Sequence, residues 1–132
     1  MENERLRAAL TLLDVDALGQ TCPTRKIVEQ VTSRWGTLVL AVLATGPHRF
    51  AAVRDRIGGI SEKMLAQTLK QLVRAGLVDR AVDASVPPQV TYSLTELGAG
   101  LATPLCELIQ WLGEHTPEIV RAQQTYDGLT ER

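Results

Sequence analysis

The chain has 132 residues, of which 45% are hydrophobic, 22% charged and 4% aromatic; this suits one domain with an aliphatic core, excludes general disorder, and argues against a binder of stacked single-stranded bases. The formal net charge of -1 conceals a gradient: five Lys/Arg face five Asp/Glu in residues 1–45, seven face four in 46–94, and two face six in 95–132. Only the middle third carries the excess positive charge that a polyanion would attract. No apolar run reaches the length of a membrane span, and Glu2, Glu4, Arg5 and Arg7 stand where a secretory signal would have its apolar core, so a cytoplasmic protein is expected. Cys22 and Cys106 lie far apart and read as free thiols rather than a disulfide framework.

The spacing of Leu6, Ala9, Leu10 and Leu13 predicts a short opening helix ending near Asp14, too short to be stable unless it docks on its own domain or on a partner. Pro23 suits the first turn of a helix running through Ile27, Val28 and Val31. Residues 35–44, WGTLVLAVLA, are apolar nearly all round and predict a buried helix that Gly46-Pro47 ends. A short helix over Phe50 to Ile57, with Phe50, Val53 and Ile57 inward, leads into a Gly58-Gly59 turn.

The chain is organised around the next stretch, GGISEKMLAQTLKQLVRAGLVDR from Gly58 to Arg80. Ser61 is a good N-cap and Gly76 a C-cap. Met64, Leu65, Leu69, Leu72 and Val73 share one helical face and are expected to be buried. Lys63, Gln67, Lys70 and Arg74 recur at i, i+4, i+7 and i+11, an exposed stripe of three cations and an amide beside the small Ala66. Cations reach phosphate, and a Gln hydrogen-bonds a base edge in the major groove. A merely solvated helix face would look the same, so the neighbouring elements must decide.

After Gly76, residues 77–82 alternate as a strand, 84–88 form a loop bearing Pro87 and Pro88, and QVTYSL from Gln89 to Leu94 alternates again, which predicts a hairpin. Thr95 caps a further helix with Leu97, Leu101, Leu105, Leu108, Ile109 and Leu112 on its apolar side, in which Pro104 predicts a kink or break. A separate short helix is expected from Pro117. The expected architecture is mostly α with a small β-hairpin wing, a winged helix-turn-helix in a single domain over 1–132: an N-terminal dimerisation helix and link in 1–20, a DNA-binding core in 22–94, and C-terminal dimerisation helices in 95–132. Surplus apolar surface on the terminal helices points to a homodimer, whose two-fold axis would set two recognition helices in successive major grooves of a palindromic double-stranded site.

These motifs together resemble the HxlR family of bacterial winged-helix transcriptional regulators over Cys22 to His115. Cys22-Pro23, Trp35, Gly46-Pro47-His48-Arg49-Phe50, Gly59 to Leu65, Gly76 to Arg80, Pro87 to Tyr92 and Leu94 to Gly98 follow the family's order and spacing. The chain departs from it at Thr32-Ser33-Arg34, where Gly-Gly-Lys is usual, and at Val73, where an acidic residue is usual; neither lies on the expected DNA face. The resemblance implies a dimeric regulator that binds near promoters, often its own or a neighbour's, and commonly represses.

The expected DNA contacts are Arg49, Ser61, Lys63, Gln67, Lys70, Arg74 and Arg80. Ser61 and Lys63 belong to the end of the helix that enters the groove, Gln67 reads a base, and Lys70 and Arg74 hold backbone. Arg49 could fix register on a phosphate or be a helix-start surface charge, and Arg80 could take a phosphate or pair with Asp79 or Asp83. Cys22 stands at a helix start beside Arg25 and Lys26, where the positive potential favours a thiolate. The resemblance implies a sensor of oxidants or small electrophiles at this Cys-Pro position, against the alternative of a packing residue. Cys106, between Leu105 and Leu108, is expected in the core. Two histidines, His48 and His115, are too few and scattered for a metal site, no cofactor motif is present, and no phosphate loop or nucleophile elbow suggests an enzyme. A winged helix used only for protein contact and a thiol enzyme using Cys22 are the competing readings.

Overall fold

A computed structural model describes residues 2–14 and 23–130. Cys22, the candidate sensor, lies outside the described residues. The elements run α1 (Glu2–Asp14), α2 (Pro23–Val31), α3 (Gly36–Leu43), β1 (His48–Arg49), α4 (Phe50–Ile57), α5 (Glu62–Arg74), β2 (Val78–Asp83), β3 (Gln89–Leu94) and α6 (Glu96–Thr130).

The core gathers around α3, whose Val39, Leu40 and Leu43 are buried against Val53 of α4, Leu65, Leu69 and Leu72 of α5, and Leu105 of α6. Burying each such side chain contributes roughly 1.5–3 kcal/mol, enough together to hold α5 from behind. The α2–α3 joint explains how the chain tolerates Thr32-Ser33-Arg34. Ser33 Oγ donates to Gln30 O (2.9 Å) and accepts from Gly36 N (3.1 Å), and Arg34 stacks over the Trp35 ring at 4.6 Å. A Cβ on Gly36 would meet Gln30 O at 2.2 Å, so only glycine admits this close crossing.

Several expectations need correction. The sheet has three strands in the order β1-β3-β2, not two, because His48 and Arg49 pair with Tyr92 and Thr91. Helix α3 is not buried all round, since Leu38 is exposed, and in α2 only Val31 is buried while Ile27 and Val28 are exposed. In α5, Met64 is exposed and Thr68 is buried; its hydroxyl is satisfied by donating to Met64 O at 2.8 Å. Cys106 is an exposed free thiol rather than a core residue.

The largest correction is α6. Residues 96–130 form one 35-residue helix that passes through both Pro104 and Pro117. A proline ring crowds the carbonyl four residues earlier. Here those residues are Gly100 and Gly113, and outside the helix's own backbone and their chain neighbours nothing lies within 4 Å of a would-be Cβ at either, so the turn before each proline has no side chain of its own to crowd it. At 1.5 Å per residue the helix is about 50 Å long, and its second half runs beyond the core.

Candidate nucleic-acid interface

The recognition helix is prepared at both ends. Ser61 has extended backbone (φ -73°, ψ 153°), and its Oγ accepts from Met64 N at 3.0 Å. At the other end Ala75 is the capping residue and Gly76, at φ 75°, follows it, so the expected C-cap glycine stands one position past the cap. Leu77 N donates to Leu72 O (3.1 Å) and Gly76 N to Val73 O (3.0 Å), the paired bonds of a Schellman turn. That turn is gripped by the start of α6: Thr95 Oγ1 donates to Gly76 O (2.6 Å) and accepts from Gly98 N (3.0 Å), and Thr95 N donates to Leu77 O (3.1 Å).

Between the caps, Lys63, Gln67, Lys70 and Arg74 are all exposed, as is Ala66. At 100° per residue the stripe lies opposite the buried Leu65, Leu69 and Leu72, so burial of one face fixes presentation of the other. None of its three cations forms an ion pair among the described residues. The acid nearest its start is engaged elsewhere: Glu62 is held by Arg54 of α4, which also binds Asp55 at 3.1 Å. These two carboxylates, Asp55 first and then Glu62, raise the Arg54 guanidinium above its usual pKa. The pairing joins α4 to α5 across the Gly58-Gly59 turn and withdraws the negative charge from the helix entry.

The wing meets the helix in its middle. Ala66, Lys70 and Val73 of α5 line a hollow of about 270 Å³ with Arg80 of β2 and Tyr92 of β3. Arg80 and Tyr92 are direct partners across the strands, which puts both side chains on one face of the sheet. Asp79 and Asp83 fall on the other face by alternation, and Arg80 pairs with neither. The sequence reading missed Tyr92 as a member of this hollow; its period-2 relation to Leu94 was the available signal.

The structure brings together Ser61, Lys63, Gln67, Lys70 and Arg80, and separates two of the expected residues from them. Arg49 is exposed but pairs with Thr91, whose partner on the other side is Ala81, so it shares the sheet face of Asp79 and Asp83 rather than that of Arg80. Arg74, in the last turn, lines a different hollow against α2 and α6. The wing tip carries Pro87 and Pro88, with Val86 standing 96% exposed before them.

A capped helix held by a helix-turn-helix, with a cationic outer face and a three-stranded wing beside it, defines a winged-helix regulator of transcription. Residues 30–120 match the HxlR-like helix-turn-helix family model, and the chain belongs to that family. It is 42% identical over 109 residues to YtfH of Escherichia coli K12, named as an HTH-type transcriptional regulator, which covers 83% of this chain and 86% of that protein. The solved putative regulator ytfH of Salmonella typhimurium superposes with a TM-score of 0.76 at 40% identity, over 81% of this chain and 96% of that one. Diamide-treated YodB of Bacillus subtilis gives a TM-score of 0.61 at 35% identity, over 72% of this chain and 95% of that one. Among the described residues no helix is long and apolar enough to cross a membrane.

Proposed function

We propose that this chain is a sequence-specific, homodimeric DNA-binding repressor of its own or neighbouring genes, and that oxidation or electrophilic attack at Cys22 releases it. The observation that carries the DNA reading is the unpaired stripe of Lys63, Gln67 and Lys70 set opposite the buried face of α5, with Arg80 of the wing beside Lys70. Ser61 and Lys63 lead into the major groove, Gln67 reads a base edge, and Lys70 and Arg80 grip the phosphates flanking it. Arg49 and Arg74 add positive potential from the flanks rather than contacts at the centre.

The dimer reading is supported by α6. Leu108, Trp111, Leu112, Ile119, Tyr126 and Leu129 are all exposed and fall within about a 100° arc of the helix, an apolar seam that a second copy would cover. Two-fold pairing would present two recognition helices about 34 Å apart, one turn of DNA. The thiol reading is supported by the sequence, in which Cys22 immediately precedes Pro23 and lies four residues before Lys26, and by the likeness to a regulator that was solved after treatment with diamide, a thiol oxidant.

The test is binding of purified protein to the DNA upstream of its own gene, in reductant and then after diamide, with Cys22→Ser alongside. Tight reduced binding, lost on oxidation only when Cys22 is present, is expected. Binding indifferent to diamide removes the switch and keeps the regulator. Affinity equal on upstream and random DNA removes the specific reading altogether.

A further inference from the structure

We propose that the hollow between α2, the last turn of α5 and the first turns of α6 is a binding site for a small organic anion with an apolar body. It encloses about 800 Å³, within the usual range for a small-molecule pocket. Its floor is apolar and fixed: Val31 and Leu77 are buried there, and Leu101 is half-buried. Ile27 and Leu97 form its walls at 50% and 65% exposure, which gives a flat apolar ligand something to cover.

Charge selects the kind of ligand. Lys26 from α2 and Arg74 from α5 reach the hollow from two different helices, and among the described residues no Asp or Glu lines it. Neither cation is ion-paired among the described residues. Two unpaired cations over an apolar floor disfavour a neutral or cationic guest and favour a carboxylate or sulfonate whose ring or chain lies on Leu77 and Leu101. Thr24, Gln30 and Thr32 supply neutral polar groups at the rim. This site takes only Arg74 from the end of the stripe, includes none of Lys63, Gln67 and Lys70, and stands whether or not the chain reads DNA.

The probes are 2-naphthoate and its uncharged isostere 2-naphthamide, titrated calorimetrically into the full chain and into the Lys26→Gln, Arg74→Gln double variant. Both residues are exposed, so the variant keeps its fold. The expected result is one saturable naphthoate site per chain, with naphthamide about tenfold weaker, and loss of that preference in the double variant. Hydrogen exchange should show the added protection in residues 23–32 and 97–101. Absence of saturable naphthoate binding, as when a second copy fills the hollow, overturns the proposal. So does equal affinity for both probes, or a preference for the anion that survives in the double variant.

Discussion

Helices α5 and α6 are both amphipathic, yet they leave opposite faces uncovered. In α5 the apolar face is satisfied inside the chain, with Leu65, Leu69 and Leu72 at most 1% exposed, and what remains outside is charged. In α6 only the first half meets the core, through Gly98, Leu101, Leu105 and Ile109; after Ile109, Trp111 is 53% and Tyr126 67% exposed. A helix whose apolar face is complete within its own domain is free to offer polarity to a partner. One whose apolar face is unfinished calls for a second apolar surface, and the two therefore suit different kinds of partner.

The contrast can be broken most severely from inside α5. Leu69→Ala should cost about 2–5 kcal/mol by opening a cavity behind the recognition helix, read as a lowered denaturation midpoint at every protein concentration. Trp111→Glu should instead leave the core intact and weaken self-association by more than about thirtyfold, roughly 2 kcal/mol, in sedimentation equilibrium. If Trp111→Glu unfolds the chain at all concentrations, α6 belongs to the core and the contrast fails. Gln67→Ala should cost about 1–3 kcal/mol at one base pair and relax specificity there. Lys70→Ala should weaken binding to all sequences alike and flatten the salt dependence by about one counterion. Equal losses on operator and random DNA for both variants would remove the division of labour between them. The smallest effect is expected from Ser61→Ala, about 1 kcal/mol of stability through the lost bond to Met64 N, measured by urea unfolding.

What the sequence made legible was local. The Ser61 cap of α5, the spacing of its buried leucines, the Gly58-Gly59 turn and the β2–β3 hairpin depend on neighbours within a few residues, and the structure has them all, although burial does not alternate along either strand and the C-cap is Ala75, one residue before Gly76. What it hid depends on distant partners. Strand β1 is two residues long and exists only because β3 lies beside it. For the same reason the opposition of Arg49 and Arg80 across the sheet follows from pairing register, which no single-strand pattern contains. Pro104 was expected to kink or break the helix and Pro117 to open a separate one, because proline was weighed without the residue four places earlier, which is glycine in both cases. Met64 sits at the margin of the apolar arc, where periodicity alone cannot tell burial from exposure, and Thr68, one turn on and nearer the buried leucines, is admitted because its hydroxyl finds a carbonyl within its own helix.

The grip of Thr95 and Gly98 on the turn after α5 has a mechanical meaning. A Cβ on Gly98 would stand 2.0 Å from Leu77 O, so the two backbones touch there with no side chain between them to yield. That contact is the fulcrum of a lever whose long arm is α6. A tilt of about 5° at the fulcrum sweeps the far end through about 4–5 Å, and a displacement imposed at the far end returns to the recognition helix reduced in distance and increased in force. In the proposed dimer, whatever clamps the far ends of the two levers together would set the spacing and pitch of the two helices at their short ends.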